Sequence, residues 1–201
     1  MTQFLVAIFF VFLLLPGLSL EAADTPKEKC LGSIECQAKL SSNAQKLLGS
    51  RYSYGSKGGR GFDCSGLMLT LIGSLIDCKL PRSSQDMYAS LKESISLDQA
   101  KVGDLLFFYT GRGVSHVGMY WGRDSQGNHI MYHASSSNGV EKRNLNQSKY
   151  WMSRLAGVKR YDPLSKALFG KPANPFEQYI KDEIILSQLD LYIDSDLLEM
   201  I

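Results

Sequence analysis

The chain has 201 residues, of which 44% are apolar and 21% are charged. This composition is ordinary for a globular protein, and the length suits one compact domain with extra segments. The net charge of +2 is unevenly spread: residues 24–161 carry 19 Lys and Arg against 11 Asp and Glu, whereas residues 162–201 carry 3 against 8. No RNA- or DNA-binding motif accompanies the basic charge, which argues against a nucleic-acid partner.

The N-terminal segment predicts export. Residues 4–15 form an unbroken apolar run of twelve residues, a Pro-Gly pair ends the run, and Ala22 and Ala23 follow. Because twelve residues are too few to span a bilayer comfortably, we interpret residues 1–23 as a signal peptide. We therefore expect a periplasmic or secreted protein without stable membrane insertion after cleavage. No Lys or Arg precedes the run, so an uncleaved membrane anchor is the alternative.

Helical signals dominate the first half of the main domain, which we place at residues 24–162. Ser33 is a suitable N-cap and Gly49 a suitable C-terminal stop for the first helix. A stretch rich in Gly and Tyr then predicts a loop, and the apolar run after Cys64 predicts a buried helix. The predicted segments are a helix at 33–48, a loop at 51–61, a helix at 67–76 and a short helix at 83–91.

Strand signals dominate the second half of the main domain. Segments rich in aromatic and aliphatic residues alternate with turns made of Gly, Asn, Asp and Ser. They predict antiparallel strands at 104–109, 115–121, 129–134 and 155–161. Helices followed by strands indicate an α+β fold, with the N-terminal helices packed on a central antiparallel sheet.

Residues 163–201 are predicted to form an acidic, amphipathic C-terminal extension. Phe176, Ile180 and Ile184 recur at four-residue spacing, which indicates one or two appended helices. We expect this extension to pack on the main domain, either as additional core or as a restraint on access to the reactive site. It is also a candidate contact for a regulatory partner.

Four cysteines limit the redox and metal chemistry. Cys30 and Cys36 enclose a short loop and can form a disulfide in an exported protein. Cys78 is then expected to be a buried free thiol. The cysteines are not spaced as two close pairs, so we predict no zinc site and no cofactor.

Cys64 is the candidate nucleophile. It lies at a loop-to-helix junction, where unpaired backbone N–H groups and the helix dipole favour the thiolate. His116 and His133 lie in predicted strands and can be presented side by side, one to exchange a proton with Cys64 and the other to orient it. His129 follows a turn and is expected to be more exposed. A metal site built from all three histidines is the rival, although the helical histidine pair typical of such sites is missing.

Six ordered segments make the chain resemble the NlpC family of cell-wall cysteine peptidases, a branch of the papain-like superfold. The resemblance covers residues 33–161. The segments are Leu48-Gly49-Ser50-Arg51-Tyr52-Ser53-Tyr54-Gly55, Gly61-Phe62-Asp63-Cys64-Ser65-Gly66-Leu67, Pro81-Arg82-Ser83-Ser84-Gln85, Val102-Gly103-Asp104-Leu105-Leu106-Phe107-Phe108, Ser115-His116-Val117-Gly118-Met119-Tyr120 and His133-Ala134-Ser135-Ser136. The resemblance implies a papain-like NlpC fold with Cys64 as nucleophile, His116 as general base and acid, and His133 as the orienting residue.

The resemblance also implies roles for the neighbours of Cys64. The implied substrate-binding residues are Tyr52, Asp63, Ser65, Arg82 and Ser115. For Asp63 a helix N-cap is an equal alternative, and for Arg82 stabilisation of the fold is at least as good an explanation. Gly55 and Gly66 are expected to be steric requirements, and Asp104 a structural hydrogen-bonding residue.

The implied substrate is peptidoglycan, whose stem peptides contain the amide bonds that the family cuts. Two bonds are candidates: the D-glutamyl–diamino acid bond, which we favour, and the D-alanyl–diamino acid cross-link. The alternatives are an amidase or acyltransferase with the same fold, a secreted antibacterial protein that degrades cell walls, and a binding protein without catalysis. The presence of Cys64, His116 and His133 argues against the last.

Overall fold

The computed structural model describes Cys30 and residues 33–170. The signal-peptide prediction and the helical prediction for Phe176, Ile180 and Ile184 lie outside these residues. The described helices are α1 (Ser33–Leu47), α2 (Cys64–Gly73), α3 (Ser84–Ser90), α4 (Lys149–Met152) and α5 (Asp162–Phe169), with a 3-10 turn at Leu97–Gln99. The strands are β1 (Ser94–Ile95), β2 (Leu105–Phe108), β3 (His116–Arg123), β4 (His129–Ser135), β5 (Gly139–Asn144) and β6 (Leu155–Lys159).

The six strands form one antiparallel sheet in the order β1-β6-β2-β3-β4-β5. The predicted α+β fold is therefore confirmed. All four predicted strands are present, but sequence patterning missed β1 and β5. β1 has only two residues, and β5 begins with Gly139-Val140 and continues as Glu141-Lys142-Arg143-Asn144, which lacks the apolar alternation that predicts a half-buried strand.

Helix α2 lies at the centre of the larger core. Its first nine residues are mostly apolar, and Leu67, Met68, Leu71 and Ile72 are all at most 1% exposed. Helix α1 contributes a stripe of buried residues at four-residue spacing, Cys36, Leu40 and Ala44. The hydroxyl of Tyr132 on β4 donates a hydrogen bond to the carbonyl of Ala44 at 2.8 Å, which ties α1 to the sheet. Burial on both sides of α2 explains its lack of a polar face.

The other face of the sheet carries a second, smaller core. Its buried members come from β2, β3, β4 and β6 and from Leu145, which directly follows β5, and α4 contributes the partly buried Trp151. The fully or nearly fully buried residues of this core are Leu106, Phe108, Tyr120, Met131, Leu145 and Val158.

Helix α5, the last element that the structure describes, packs against α1. Leu164 and Leu168 are buried in the larger core, and Gln37 of α1 donates a hydrogen bond to the carbonyl of Leu168 at 2.6 Å. Gly103 has a positive φ of 95°, and an added Cβ there would lie 2.7 Å from a methyl group of Leu168. Both turns of α5 are thus part of the packed domain.

Cys30 and Cys36 form a disulfide across six residues of sequence, with Cα atoms 5.3 Å apart. This pairing is the one that the cysteine spacing allowed. Cys64 and Cys78 are free, and Cys78 is partly rather than fully buried. Among the residues that the structure describes, no helix is long and apolar enough to cross a membrane.

Candidate active site

Cys64 is the first residue of α2, and local sequence explains why the helix begins there. Asp63 is the N-cap, and its Oδ1 accepts a hydrogen bond from the backbone N–H of Gly66 at 2.7 Å. Gly66 is required because a Cβ at this position would lie 2.1 Å from the carbonyl oxygen of Ser56. The predicted steric role of Gly66 is therefore confirmed, and so is the N-cap interpretation of Asp63.

The carboxylate of Asp63 also holds the segments on either side of α2. Its Oδ2 accepts from the N–H of Gly55 at 2.7 Å, and Gly55 has a positive φ of 75° in its turn. Arg82 donates to Oδ1 at 3.0 Å and to Oδ2 at 2.6 Å, and a further bond at 2.7 Å reaches the hydroxyl of Ser65. Burial raises the pKa of Asp63, but the hydrogen bonds from Arg82, Gly66 and Gly55 outweigh it and lower the pKa overall. Arg82 and Asp63 thus form a hydrogen-bonded ion pair that links the residue before Cys64 to the segment before α3.

The thiol of Cys64 is buried, with 8% of the residue exposed. Burial raises its pKa, and the negative charge of Asp63 acts in the same direction. The backbone N–H groups of Val117, Ser65 and Cys64 itself lower the pKa but do not compensate. The N–H groups at the helix start favour the thiolate, as expected, but desolvation of the charged form outweighs them. The contact with Val117 places the sulfur beside the backbone of β3, next to His116.

His116 and His133 form a buried pair on β3 and β4. The Nε2 of His116 lies 2.9 Å from the Nδ1 of His133, so the predicted side-by-side placement is confirmed. The pKa of each imidazole is lowered to about 3, mainly by burial and in addition by the partner ring for His116 and by Arg143 for His133. Both rings are therefore neutral at neutral pH. Since Nε2 of His116 faces His133, Nδ1 is the nitrogen of this ring that points away from the pair.

His129 does not join this pair, and the prediction that it is the more exposed histidine is wrong. It is 5% exposed, and its Nδ1 lies 3.0 Å from the hydroxyl of Tyr120 in the smaller core. The ring is covered because β4 enters the sheet at His129 itself, opposite Arg123 of β3. Within residues 33–170, no group of three or more His, Cys, Asp or Glu side chains can hold a metal ion.

A groove of about 560 Å³ opens over Cys64. The predicted binding residues Tyr52, Asp63, Ser65, Arg82 and Ser115 all line it. Burial raises the pKa of Tyr52, as does the proximity of Cys64 and Asp63, so its phenol stays neutral beside the thiol. Ser115 is held in place by the N–H and hydroxyl of Thr110, at 3.1 and 2.8 Å. The remaining lining residues are Tyr54, Gly55, Cys64, Ser83, Ser84, Gln85, Arg112 and Val114.

Comparison with known sequences identifies the family. The sequence model of the NlpC/P60 family matches residues 49–160, more than half of the chain. The chain belongs to the NlpC/P60 family. It is 35% identical over 153 residues to a probable endopeptidase NlpC of Escherichia coli K12, covering 73% of this chain and 96% of the relative. It is 29% identical over 142 residues to the murein DD-endopeptidase MepS/murein LD-carboxypeptidase of the same organism, covering 71% and 72%.

A solved structure of the NlpC/P60 family shares the fold. It is a Staphylococcus aureus protein described as similar to a lipoprotein, with a TM-score of 0.55 and 32% identity over 68% of this chain and 44% of that chain. The predictions of an NlpC-type α+β fold and of a cysteine endopeptidase of this family are confirmed.

Trp151 is a residue of this NlpC/P60 site that sequence reasoning missed. Its indole stacks on His116, with ring centroids 4.6 Å apart and planes inclined by 29°, and meets the ring of His133 edge-on at 5.0 Å. Trp151 lies on the four-residue helix α4, whose N-cap Ser148 accepts a hydrogen bond from the N–H of Trp151. Ser148 is a recognisable N-cap and could have predicted the short helix α4. Nothing in the local sequence indicates that the Trp151 side chain covers the histidines.

Proposed function

We propose that the protein is an exported peptidoglycan endopeptidase that hydrolyses stem-peptide amide bonds, with Cys64 as nucleophile, His116 as general base and acid, and His133 as the orienting residue. The observation that carries the proposal is a free thiol that lines a groove and contacts the backbone of Val117, the residue directly after His116 of a buried, hydrogen-bonded histidine pair. The similarity to MepS, a murein DD-endopeptidase, supports peptidoglycan as the substrate class.

The resting site holds a neutral thiol and a neutral imidazole, so proton transfer accompanies the attack. The sulfur of Cys64 bonds to the carbonyl carbon as Nδ1 of His116 accepts the thiol proton. The backbone N–H of Cys64, at the start of α2, is suited to stabilise the oxyanion. The C–N bond then breaks, and His116 returns the proton to the leaving amine. Water, deprotonated by His116, hydrolyses the thioester and restores the thiol.

The groove wall supplies substrate contacts in this proposal. Tyr52 presents a neutral hydroxyl near the thiol, and Ser115 lies on the loop that precedes His116. Asp63 and Arg82 neutralise each other and act mainly by fixing the loop and helix that hold Cys64. We favour the D-glutamyl–diamino acid bond, with the D-alanyl–diamino acid cross-link as the alternative.

Export is part of the proposal. The apolar segment within residues 1–23 provides the signal, and the Cys30–Cys36 disulfide is expected to persist in an oxidising compartment. An extracytoplasmic protein meets peptidoglycan directly.

Product analysis with matched cysteine variants tests the proposal. Purified protein is incubated with isolated peptidoglycan, and the soluble fragments are identified by mass spectrometry. We expect wild type and Cys78→Ala to release the same stem-peptide fragments, because Cys78 lies outside the groove, and Cys64→Ala to release none. Fragment masses separate the two candidate bonds, and intact stem peptides freed from glycan would identify an amidase instead. Fragment release by Cys64→Ala at the wild-type rate would rule out the proposed nucleophile.

A further inference from the structure

Glu141 lies next to His133, on the opposite side of that imidazole ring from His116. It is directly opposite His133 in the antiparallel pairing of β4 and β5, so the two side chains share a face of the sheet. Oε1 of Glu141 is 3.2 Å from Nε2 of His133. This nitrogen is the buried side-chain polar atom within residues 33–170 that has no hydrogen-bond partner, although Oε1 of Glu141 is within hydrogen-bonding distance. The distance is short enough that a small rotation of either side chain makes the bond.

The carboxylate of Glu141 is held in place from its outer side. Arg143, two residues along the same strand, donates to both carboxylate oxygens at 2.8 Å. Asn138, in the preceding turn, contacts both oxygens at 3.2 Å. Arg143 and Asn138 therefore fix the Glu141 carboxylate in place beside His133, and the charge of Arg143 lowers the pKa of His133.

The hydrogen-bond chain admits one useful arrangement of protons. For His116 to accept the thiol proton on Nδ1, that nitrogen must be unprotonated, and the ring proton must lie on Nε2. Nε2 of His116 then donates to Nδ1 of His133, which must itself be unprotonated. His133 consequently carries its proton on Nε2, the atom that faces Glu141. A carboxylate at this position favours that tautomer, because it accepts a hydrogen bond and cannot donate one.

We propose that Glu141 is a positioning residue, which fixes the tautomers of His133 and His116 so that Nδ1 of His116 is the base for Cys64. The inference rests on the proposed function for its catalytic consequence. It assigns Glu141 a role through His133 alone, with no contact to substrate. The competing explanation is that Glu141 only pairs with Arg143 to stabilise β5.

Histidine tautomers in the intact protein provide the first test. Long-range proton–nitrogen NMR correlations of protein labelled with nitrogen-15 in its histidines distinguish a proton on Nε2 from one on Nδ1. We expect His133 and His116 to be protonated on Nε2 at neutral pH. A proton on Nδ1 of His133 would overturn the inference. This result does not depend on any substrate, so it stands apart from the outcome of the peptidoglycan assay.

Kinetics of three variants provide the second test. Glu141→Leu keeps the volume but removes the acceptor, and we expect its kcat to fall by about tenfold or more while KM stays nearly constant. Glu141→Gln retains an amide oxygen and should recover most of the activity. Lys142→Ala, the matched control, changes the exposed neighbour of Glu141 on β5 and should have wild-type kcat. Wild-type kcat and unchanged tautomers in Glu141→Leu would leave Glu141 a purely structural residue. If Glu141→Leu does not fold, the tautomers of the wild-type histidines decide.

Discussion

Asp63 connects three separate segments of the chain through one carboxylate. It caps α2 through Gly66, closes the Tyr54-Gly55 turn through the N–H of Gly55, and binds Arg82 with two hydrogen bonds. Because Cys64 follows Asp63 directly, these bonds set the position of the nucleophile candidate relative to the loop and to α3. The residue was an equal candidate for substrate binding and for capping, and its hydrogen bonds support the second role.

Gly66, two residues after Cys64, leaves no space for a side chain, and the substitution Gly66→Ala tests this steric requirement. Gly66→Ala forces a Cβ to within 2.1 Å of the Ser56 carbonyl, a backbone group that cannot move without disturbing the loop. We expect a loss of about 1 to 3 kcal/mol in the free energy of unfolding and a marked decrease in activity. Denaturant unfolding measures the first and fragment release the second.

Gly73, at the other end of the same helix, is the matched control for Gly66. The nearest atom to a Cβ there is the Cβ of Cys78 at 4.0 Å, so Gly73→Ala should be accommodated. Because alanine favours the helix, a gain of about 0.5 to 1 kcal/mol in stability is expected. Equal stability of the two variants would contradict the steric role of Gly66.

At the level of elements, the pairing of β3 with β4 brings the two histidines together. Gly118 of β3 lies against β4, and a Cβ there would be 3.1 Å from the Cβ of His133 and 2.6 Å from the sulfur of Met131. The missing side chain leaves room for the imidazole pair in the sheet. Helix α4 then covers the pair with Trp151, and this burial lowers both histidine pKa values.

Removing the Trp151 side chain, which covers His116 and His133, should shift the pH dependence of kcat/KM. With the pKa of His116 lowered to about 3, the neutral base persists as pH falls, so the acid limb of the wild-type kcat/KM profile should lie well below pH 6.5. Trp151→Ala admits water and raises this pKa toward its ordinary value, which shifts the acid limb to higher pH and lowers kcat.

Met152→Ala is the control for Trp151 because it changes a neighbouring, 39% exposed side chain of α4. Its acid limb should coincide with that of the wild type. Initial rates measured between pH 4 and 8 on a soluble stem-peptide substrate give the three profiles. An acid limb near pH 6.5 in the wild type would show that the histidine pair is not kept neutral by burial.

On the scale of the whole molecule, two cores sandwich the sheet, and α5 completes the larger one. Leu164 and Leu168 are at most 1% exposed, and they pack beside Gly103 at the entrance to β2. Each fully buried leucine contributes about 1.5 to 3 kcal/mol relative to an exposed one. Helix α5 thus contributes substantially to the stability of the domain, although none of its residues lines the groove.

Two truncated chains, each beginning at Asp24, measure that contribution. A chain that ends at Gly170 keeps α5, whereas one that ends at Tyr161 lacks it and exposes the apolar surface of α1. We expect the shorter chain to be less stable by about 3 kcal/mol or more in denaturant unfolding, with a lower melting temperature. Equal stability of the two chains would show that α5 adds little to the core.

Features that depend on neighbours along the chain could be predicted from the sequence. The apolar run after Cys64 predicted the buried helix α2, although the predicted bounds of 67–76 lie three residues beyond the observed ones, Cys64–Gly73, because the start depends on the cap formed by Asp63. The predicted strands carry apolar patterns with a turn on each side, and the ordered motifs identified the family. The Cys30–Cys36 pair was foreseeable because six residues of separation bring the two thiols within reach.

Which distant groups surround the reactive atoms depends on the tertiary structure and could not be predicted from the sequence. His129 is buried and bound to Tyr120, and β5 and α4 deliver Glu141 and Trp151 to the histidine pair. None of these contacts follows from local pattern, because each depends on strand pairing or on packing across the sheet. The same holds for the charge state of Cys64: a helix start predicts a thiolate, but burial against β3 removes the solvent that would stabilise it.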